Sequence, residues 1–145
     1  MIVKSAIDLN KNIHEIMINR AEIKSIKLDS MLNQKKAKRL AKEGFSRIPV
    51  FKGECPIGIL LVKSLIGLDL GNEGVSLSDL VWEQKILLRK PMFCSPDTSI
   101  LEMLNKFKEG RSHLALITDN PTKMESFIES EEDLDESLFQ NDFKV

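Results

Sequence analysis

The sequence predicts an α+β fold in which two similar strand-helix-strand-strand-helix units pack sheet against sheet. Three observations carry this. A segment of nine residues, Glu43-Gly44-Phe45-Ser46-Arg47-Ile48-Pro49-Val50-Phe51, is echoed 66 residues later by Glu109-Gly110-Arg111-Ser112-His113-Leu114-Ala115-Leu116-Ile117. A helical apolar pattern precedes each copy, and a strand-like apolar run lies on either side of it. With 145 residues, 42% of them hydrophobic and 30% charged, the chain is long enough for two small units that share a core.

Taken in order, residues 21–28 read as a strand through Ile23, Ile26 and Leu28. A helix follows over 30–43, with Met31, Leu32, Ala37, Leu40 and Ala41 on one stripe, Asp29-Ser30 offering the N-cap and Gly44 placed for a left-handed C-terminal residue. The apolar run after Ser46 is a buried strand. A Lys52-Gly53-Glu54 turn leads to a strand over 57–62, and residues 63–68 begin a helix. The first unit thus spans 8–70, and a connector spans 71–85, where Trp82 is expected to fill core between the units.

The second unit spans 86–140. It opens with a strand over 86–94, followed by a helix over 99–109 whose Ile100, Leu101, Leu104 and Phe107 share a stripe. Asp97-Thr98-Ser99 with Glu102 forms a capping-box pattern, and Gly110 is placed as Gly44 is. Toward the end, a short strand over 125–129 and a helix over 130–140 are expected, with Ser130 as N-cap and Asp133 three residues on, leaving 141–145 as a tail. Six acids fall within 129–136, a density that on composition alone suits a solvated tail.

Net charge is −1, but it is unevenly spread. Residues 1–66 carry 13 basic and 6 acidic side chains, 67–120 carry 6 and 8, and 121–145 carry 2 and 8. A basic first half next to an acidic end favours an anionic ligand at one place. No apolar run is long enough to cross a bilayer, since Lys63 interrupts the stretch 57–68, and MIVKSAIDLN lacks the pattern of a secretory signal. Cys55 and Cys94 read as free thiols of a reducing compartment, Cys55 beside a turn and Cys94 at a strand end.

Several chemistries find no support. Neither a GxxxxGK[ST] loop nor GxGxxG is present. His14, His113, Cys55 and Cys94 have no zinc-ligand spacing, and His14 reads as an exposed residue on a short helix. A nucleophile pair of Cys94 and His113 lacks an orienting third group, so the chain is not read as an enzyme. Lys35, Lys36, Lys38, Arg39 and Lys42 form the outer face of an amphipathic helix without interleaved aromatics, which suits a solvated face and not nucleic acid.

Two equivalent polar corners remain, Ser46-Arg47 and Ser112-His113, each at a helix-to-strand junction where a hydroxyl, a backbone N–H and a cation can converge on a phosphate. A further pair, Ser130 and Asp133, has the spacing to present a hydroxyl and a carboxylate to vicinal ribose hydroxyls.

These motifs carry a resemblance. The repeated unit, with G-F-S-R-I-P-V-F in the first copy and F-K-E-G-R-S-H-L-A in the second, together with I-L-L-V-K-S-L, resembles a tandem pair of cystathionine-β-synthase (CBS) domains, a Bateman module, of the cyclin M and CorC-type family of magnesium transporters. The resemblance implies a cytosolic regulatory module of a membrane protein, pairing with a second copy into a homodimer and binding ATP (or AMP or ADP) with Mg²⁺ through the nucleotide. It assigns Ser46, Arg47 and the following Ile48-Pro49 to the phosphate side, and Ser130 and Asp133 to the ribose. The equivalent ribose positions of the first unit are Leu61 and Ser64, so the pseudo-symmetric site lacks its carboxylate. Met17-Ile18-Asn19 stands where the family has Met-Thr-Pro, and Phe127-Ile128-Glu129-Ser130 where it has a smooth strand before the last helix. The alternative reading is a degenerate CBS pair that holds proteins together without a nucleotide.

Overall fold

In the computed structural model, which describes residues 9–110, 114–130 and 139–140, nine strands and four α-helices form the expected α+β arrangement. A five-stranded sheet has the order β1(Ile26–Lys27), β3(Arg47–Lys52), β4(Cys55–Leu61), β6(Leu88–Arg89), β9(Phe139–Gln140), and two smaller sheets pair β2(Met31–Leu32) with β5(Val75–Ser76) and β7(Met92–Cys94) with β8(Ala115–Ile117).

The first half follows its hydrophobic pattern with one shift. Met31 and Leu32 do not enter the helix: they pair antiparallel with Ser76 and Val75, and α1(Gln34–Lys42) starts after Asn33, whose Oδ1 accepts from the Lys36 backbone N–H at 2.8 Å. Asn33, not Asp29-Ser30, is therefore the N-cap. Leu32, Ala37 and Leu40 are buried, whereas Met31 is 54% exposed. Gly44 does adopt the left-handed conformation expected of it, at φ +83°. β1 runs parallel to β3 only at Val50 and Phe51, so the part of β3 that carries Pro49 has β4 alone beside it, where a residue without an N–H is tolerated. The segment 63–68 makes only a 3₁₀ turn, Val62–Leu65, and Gly67 at φ +84° ends it.

The connector holds β5 and a short helix, α2(Leu77–Trp82), capped by the Ser76 hydroxyl accepting from the Asp79 N–H at 3.1 Å. Trp82 is 73% exposed, so it does not fill the core. Leu77, Leu80 and Val81 turn inward and take that role, and position 82 lies about 200° around the helix from Leu80.

The two halves interlock. The segment 86–94, expected as one strand, is broken at Lys90-Pro91: β6 joins the large sheet beside β4, with Ile59 opposite Arg89, while β7 joins the second-half sheet. Proline supplies no donor to either ladder, and the chain changes sheets there. Leu88 and Ile86 accordingly belong to the main core with Ile48, Val50, Ile57 and Leu60. In exchange, the N-terminal segment packs on the second half. The Ile13 N–H donates to the Thr98 carbonyl at 2.9 Å, the Ile100 N–H to Lys11 at 2.9 Å and the Leu101 N–H to Leu9 at 3.0 Å, and Ile13 is buried against Cys94 and Met103. His14 is exposed on the 3₁₀ turn Ile13–Glu15, as expected.

α3(Ile100–Glu109) carries the anticipated capping box: the Glu102 N–H donates to the Ser99 hydroxyl at 3.2 Å, and the Ser99 N–H to the Glu102 carboxylate at 3.1 Å. Gly110, by contrast, is extended at φ −88°. The largest departure lies near the end. Residues 125–129, expected as a strand, belong to α4(Pro121–Ser130), and Phe139–Gln140, expected in a helix, pair parallel with β6. Asn120-Pro121 explains the helix: the Lys123 N–H donates to Asn120 Oδ1 at 3.3 Å, and proline suits the first helical position. Met124, Phe127 and Ile128 then recur at helical spacing, and Ile128 is buried.

Candidate functional site

The polar corner at Ser46-Arg47 is built by the end of α1 and the start of β3. Gly44 reverses the chain after the helix, Ser46 is exposed, and Arg47 is half-buried, opposite Leu61 in the β3–β4 ladder. The Ser46 carbonyl accepts from the Val62 N–H at 3.0 Å, so the backbone of this junction is fixed by β4 and the turn that follows it. Ile48 and Pro49 are buried directly behind. A hydroxyl and a guanidinium on a fixed backbone, one residue apart, fit an anion with several acceptor oxygens.

The local charge favours the same ligand. Glu43, the nearest acid in sequence, is engaged by Lys24 at 3.1 Å and by Arg39 at 3.9 Å. With its charge matched in this way, Glu43 subtracts little from the positive charge of Arg47.

The other expected site residues divide. Ser130 does not begin a helix; it is the last residue of α4, which removes the N-cap reading. Asp133, and the second corner Ser112-His113, lie outside the described residues. In the first unit, the Ser64 hydroxyl donates to the carbonyl of Leu61, so the two residues at the pseudo-symmetric ribose positions bond to each other. Among the described residues, no group of three or more His, Cys, Asp or Glu side chains stands together as a metal site.

Two features escape a reading of the sequence. A cleft of about 430 Å³ opens at the far ends of β1 and β3, away from Arg47, lined among others by Arg20, Lys27, Phe51, Glu54 and Ser78. Arg20 stacks over the Phe51 ring at 4.4 Å and pairs with Glu54 at 2.8 Å. A shallow hollow of about 790 Å³ runs along α1, lined by its basic side chains and Asn33. No local signal joins Arg20 to residues 31 and 34 positions later; strand register does. The thiols differ as well. Burial pushes the buried Cys94 above its ordinary value, against the opposing pull of the Lys106 ammonium 3.9 Å away.

No helix among the described residues is long and apolar enough to cross a membrane. No protein-family model matches the chain. It is 32% identical over 124 residues to Protein MAM3 of Saccharomyces cerevisiae, covering 83% of this chain and 17% of that protein. It is 30% identical over 140 residues to Hemolysin C of Brachyspira hyodysenteriae, covering 94% of this chain and 48% of that protein. The chain therefore spans about half the length, or less, of these curated relatives. Among solved structures, the CBS domain of a bacterial CNNM/CorC family Mg²⁺ transporter in complex with ATP is similar at a TM-score of 0.60 and 18% identity, over 76% of this chain and 75% of that one.

The 66-residue repeat, the interlocked sheets and this likeness define a tandem CBS-domain pair. More narrowly, the chain is similar in sequence to stretches of Protein MAM3 and Hemolysin C and in fold to the CBS domain of a bacterial CNNM/CorC family Mg²⁺ transporter.

Proposed function

We propose that the chain is a non-enzymatic regulatory module that binds ATP, or a related adenine nucleotide, with Mg²⁺ arriving on the phosphates, on the cytosolic side of a membrane transporter for magnesium or another divalent cation. The observation that carries this is the Ser46-Arg47 corner, where an exposed hydroxyl and a half-buried guanidinium stand on a backbone fixed by β4, with the neighbouring acid already paired. The ATP complex of the similar bacterial domain supports the choice of nucleotide. Ile48 and Pro49 hold the strand under the phosphates, and Ser130 and Asp133 are assigned to the ribose by motif spacing.

The nucleotide would act by biasing the geometry of a homodimer joined to a transmembrane part, and it can do so only through a difference in affinity between two states. Exposed Leu101 and Leu104 on α3 offer apolar surface for such a dimer. Arg47→Ala is expected to weaken ATP about 10- to 100-fold, as loss of a charge-assisted hydrogen bond does, and adenosine far less. Asp133→Ala is expected to weaken both equally. An equal loss of ATP and adenosine in Arg47→Ala would take Arg47 off the phosphates.

A second reading, a CBS scaffold without a nucleotide, draws on one observation: Ser130 closes α4 instead of opening a helix. Calorimetry separates the two, because the scaffold gives no heat with any adenine nucleotide.

A further inference from the structure

We infer that the outer face of α1 is an interaction surface for a second copy of this chain and receives the acidic run 131–136 of that copy. At about 100° per residue, Lys35, Lys38, Arg39 and Lys42 fall within about 100° of helical arc, centred opposite Ala37 and Leu40, the two residues the helix buries. All four cations are exposed, and α1 contains no acid. Arg39 has Glu43 at 3.9 Å, whereas Lys35, Lys38 and Lys42 have no acidic partner among the described residues. The complementary charge is in the same sequence. Glu131, Glu132, Asp133, Asp135 and Glu136 fall within six positions, and no cation occurs from 124 to 143. Glu129, just before the run, is already paired with Lys90 at 3.6 Å, and Asp133 is assigned to the ribose, so Glu131, Glu132, Asp135 and Glu136 are the acids left for the three lysines.

The topology favours the run of another copy over the chain's own. The run lies between Ser130, the last residue of α4, and Phe139 of β9, the edge strand beyond β6. α1 is the crossover between the parallel strands β1 and β3, so it covers the opposite side of the same sheet, and β3 and β9 are three strand spacings apart, about 14 Å. The lysines point away from that sheet, on the far side of the helix. To reach them, the chain's own run would have to pass around α1, while a second copy meets them directly. With a net charge of −1, two copies are not held apart by overall repulsion, and the separation of charge along the sequence governs how they meet. A two-fold axis makes the contact twice, α1 of each copy holding the run of the other. This gives the homodimer of the proposed function a surface, and it does not depend on a nucleotide.

The test is sedimentation equilibrium of the full chain at low and at near-physiological salt. The variants are Lys35→Gln/Lys38→Gln/Lys42→Gln, then Glu131→Gln/Glu132→Gln/Asp135→Asn/Glu136→Gln, then both sets combined. Wild type is expected to dimerise at low salt and to weaken as salt rises. At about twofold for each exposed ion pair, three pairs give about tenfold per contact, and the two contacts of a symmetric dimer make the loss about a hundredfold in either variant. The combined variant should lose no more than either set alone, because both remove the same pairs. Glutamine keeps a good helix former in α1, and circular dichroism checks the fold; if the lysine variant does not fold, the acidic variant alone should still show the hundredfold loss. Carbodiimide coupling of an equal mixture of ¹⁴N- and ¹⁵N-labelled chains should join α1 lysines to carboxylates of 131–136 in pairs of mixed isotope. A chain that stays monomeric at low salt, a dimer that neither variant weakens, losses that add in the combined variant, or links of like isotope only, which would put the run on its own α1, would each overturn the inference. Asp133 is untouched in every variant, so ATP titration of the same samples reads the nucleotide site separately: absence of ATP binding beside salt-sensitive dimerisation would remove the nucleotide reading and leave this one.

Discussion

Gly58→Ala probes the seam between the two halves. Gly58 lies in β4 opposite Val50 and directly against Leu88 of β6, and a Cβ added there would stand 2.9 Å from Leu88 Cβ, 2.9 Å from its Cδ1 and 3.4 Å from its Cγ. Leu88 is 1% exposed and has nowhere to retreat, so overpacking should cost about 1–3 kcal/mol, which the roughly 0.5–1 kcal/mol that alanine gains over glycine in a strand reduces to a net loss of about 1–2 kcal/mol. Leu88→Ala alone should cost about 2–5 kcal/mol by leaving a cavity. Combined, the two should cost about 1 kcal/mol less than their sum, because Leu88→Ala removes the Cγ and Cδ1 clashes and leaves only the Cβ contact. Urea unfolding followed by far-ultraviolet circular dichroism measures all four corners of the cycle, which tryptophan emission would follow poorly given how exposed Trp82 is. A Gly58→Ala variant within about 0.5 kcal/mol of wild type, or strictly additive costs, would refute the packing of β6 on β4.

Other expectations concern the second half and the connector. Ser99→Ala should cost about 1 kcal/mol by removing the capping box of α3, and Ser99→Thr should retain most of it; equal losses in urea unfolding would contradict the cap. Because burial raises the folded-state value of Cys94, its contribution to stability is full below the ordinary thiol range and is lost as pH rises through that range toward the raised value; wild type should lose more stability than Cys94→Ala on going from pH 7.5 to 10. Disulfide-exchange reagents should label half-buried Cys55 first and Cys94 only as the chain unfolds, and simultaneous labelling would contradict its burial. Trp82→Phe should change stability by less than about 0.5 kcal/mol; a loss of several kcal/mol would restore the core role first expected of it.

What the sequence made legible is what local pattern controls. The 66-residue repeat, the Gly44 turn, the Ser99 capping box and the buried run Ile48–Val50 follow from spacing and side-chain type, and they were sufficient to reach the CBS pair. The exchange between halves was not legible. β6 leaves the 86–94 run for the first sheet, and residues 9–13 pack on the start of α3, because pairings between distant segments are decided by complementary faces and not by periodicity. Trp82 misled through its size, since α2 had already turned Leu77, Leu80 and Val81 inward. The start of α4 does carry a local signal: Asn120-Pro121 is a helix start, and an apolar pattern at 124, 127 and 128 does not alternate as a strand would. Of the candidate site, the Ser46-Arg47 corner was readable because one turn holds both residues, whereas the ribose side depended on a helix start that Ser130 does not make.

The most direct test of the central claim is calorimetric titration of the full chain with ATP, with and without Mg²⁺, beside Arg47→Ala. The nucleotide-binding reading predicts saturable heat with wild type and a loss of about 10- to 100-fold in Arg47→Ala that adenosine does not share. Absence of heat and of any shift in melting temperature with ATP, ADP or AMP would contradict it and leave a CBS pair that works through protein contacts alone.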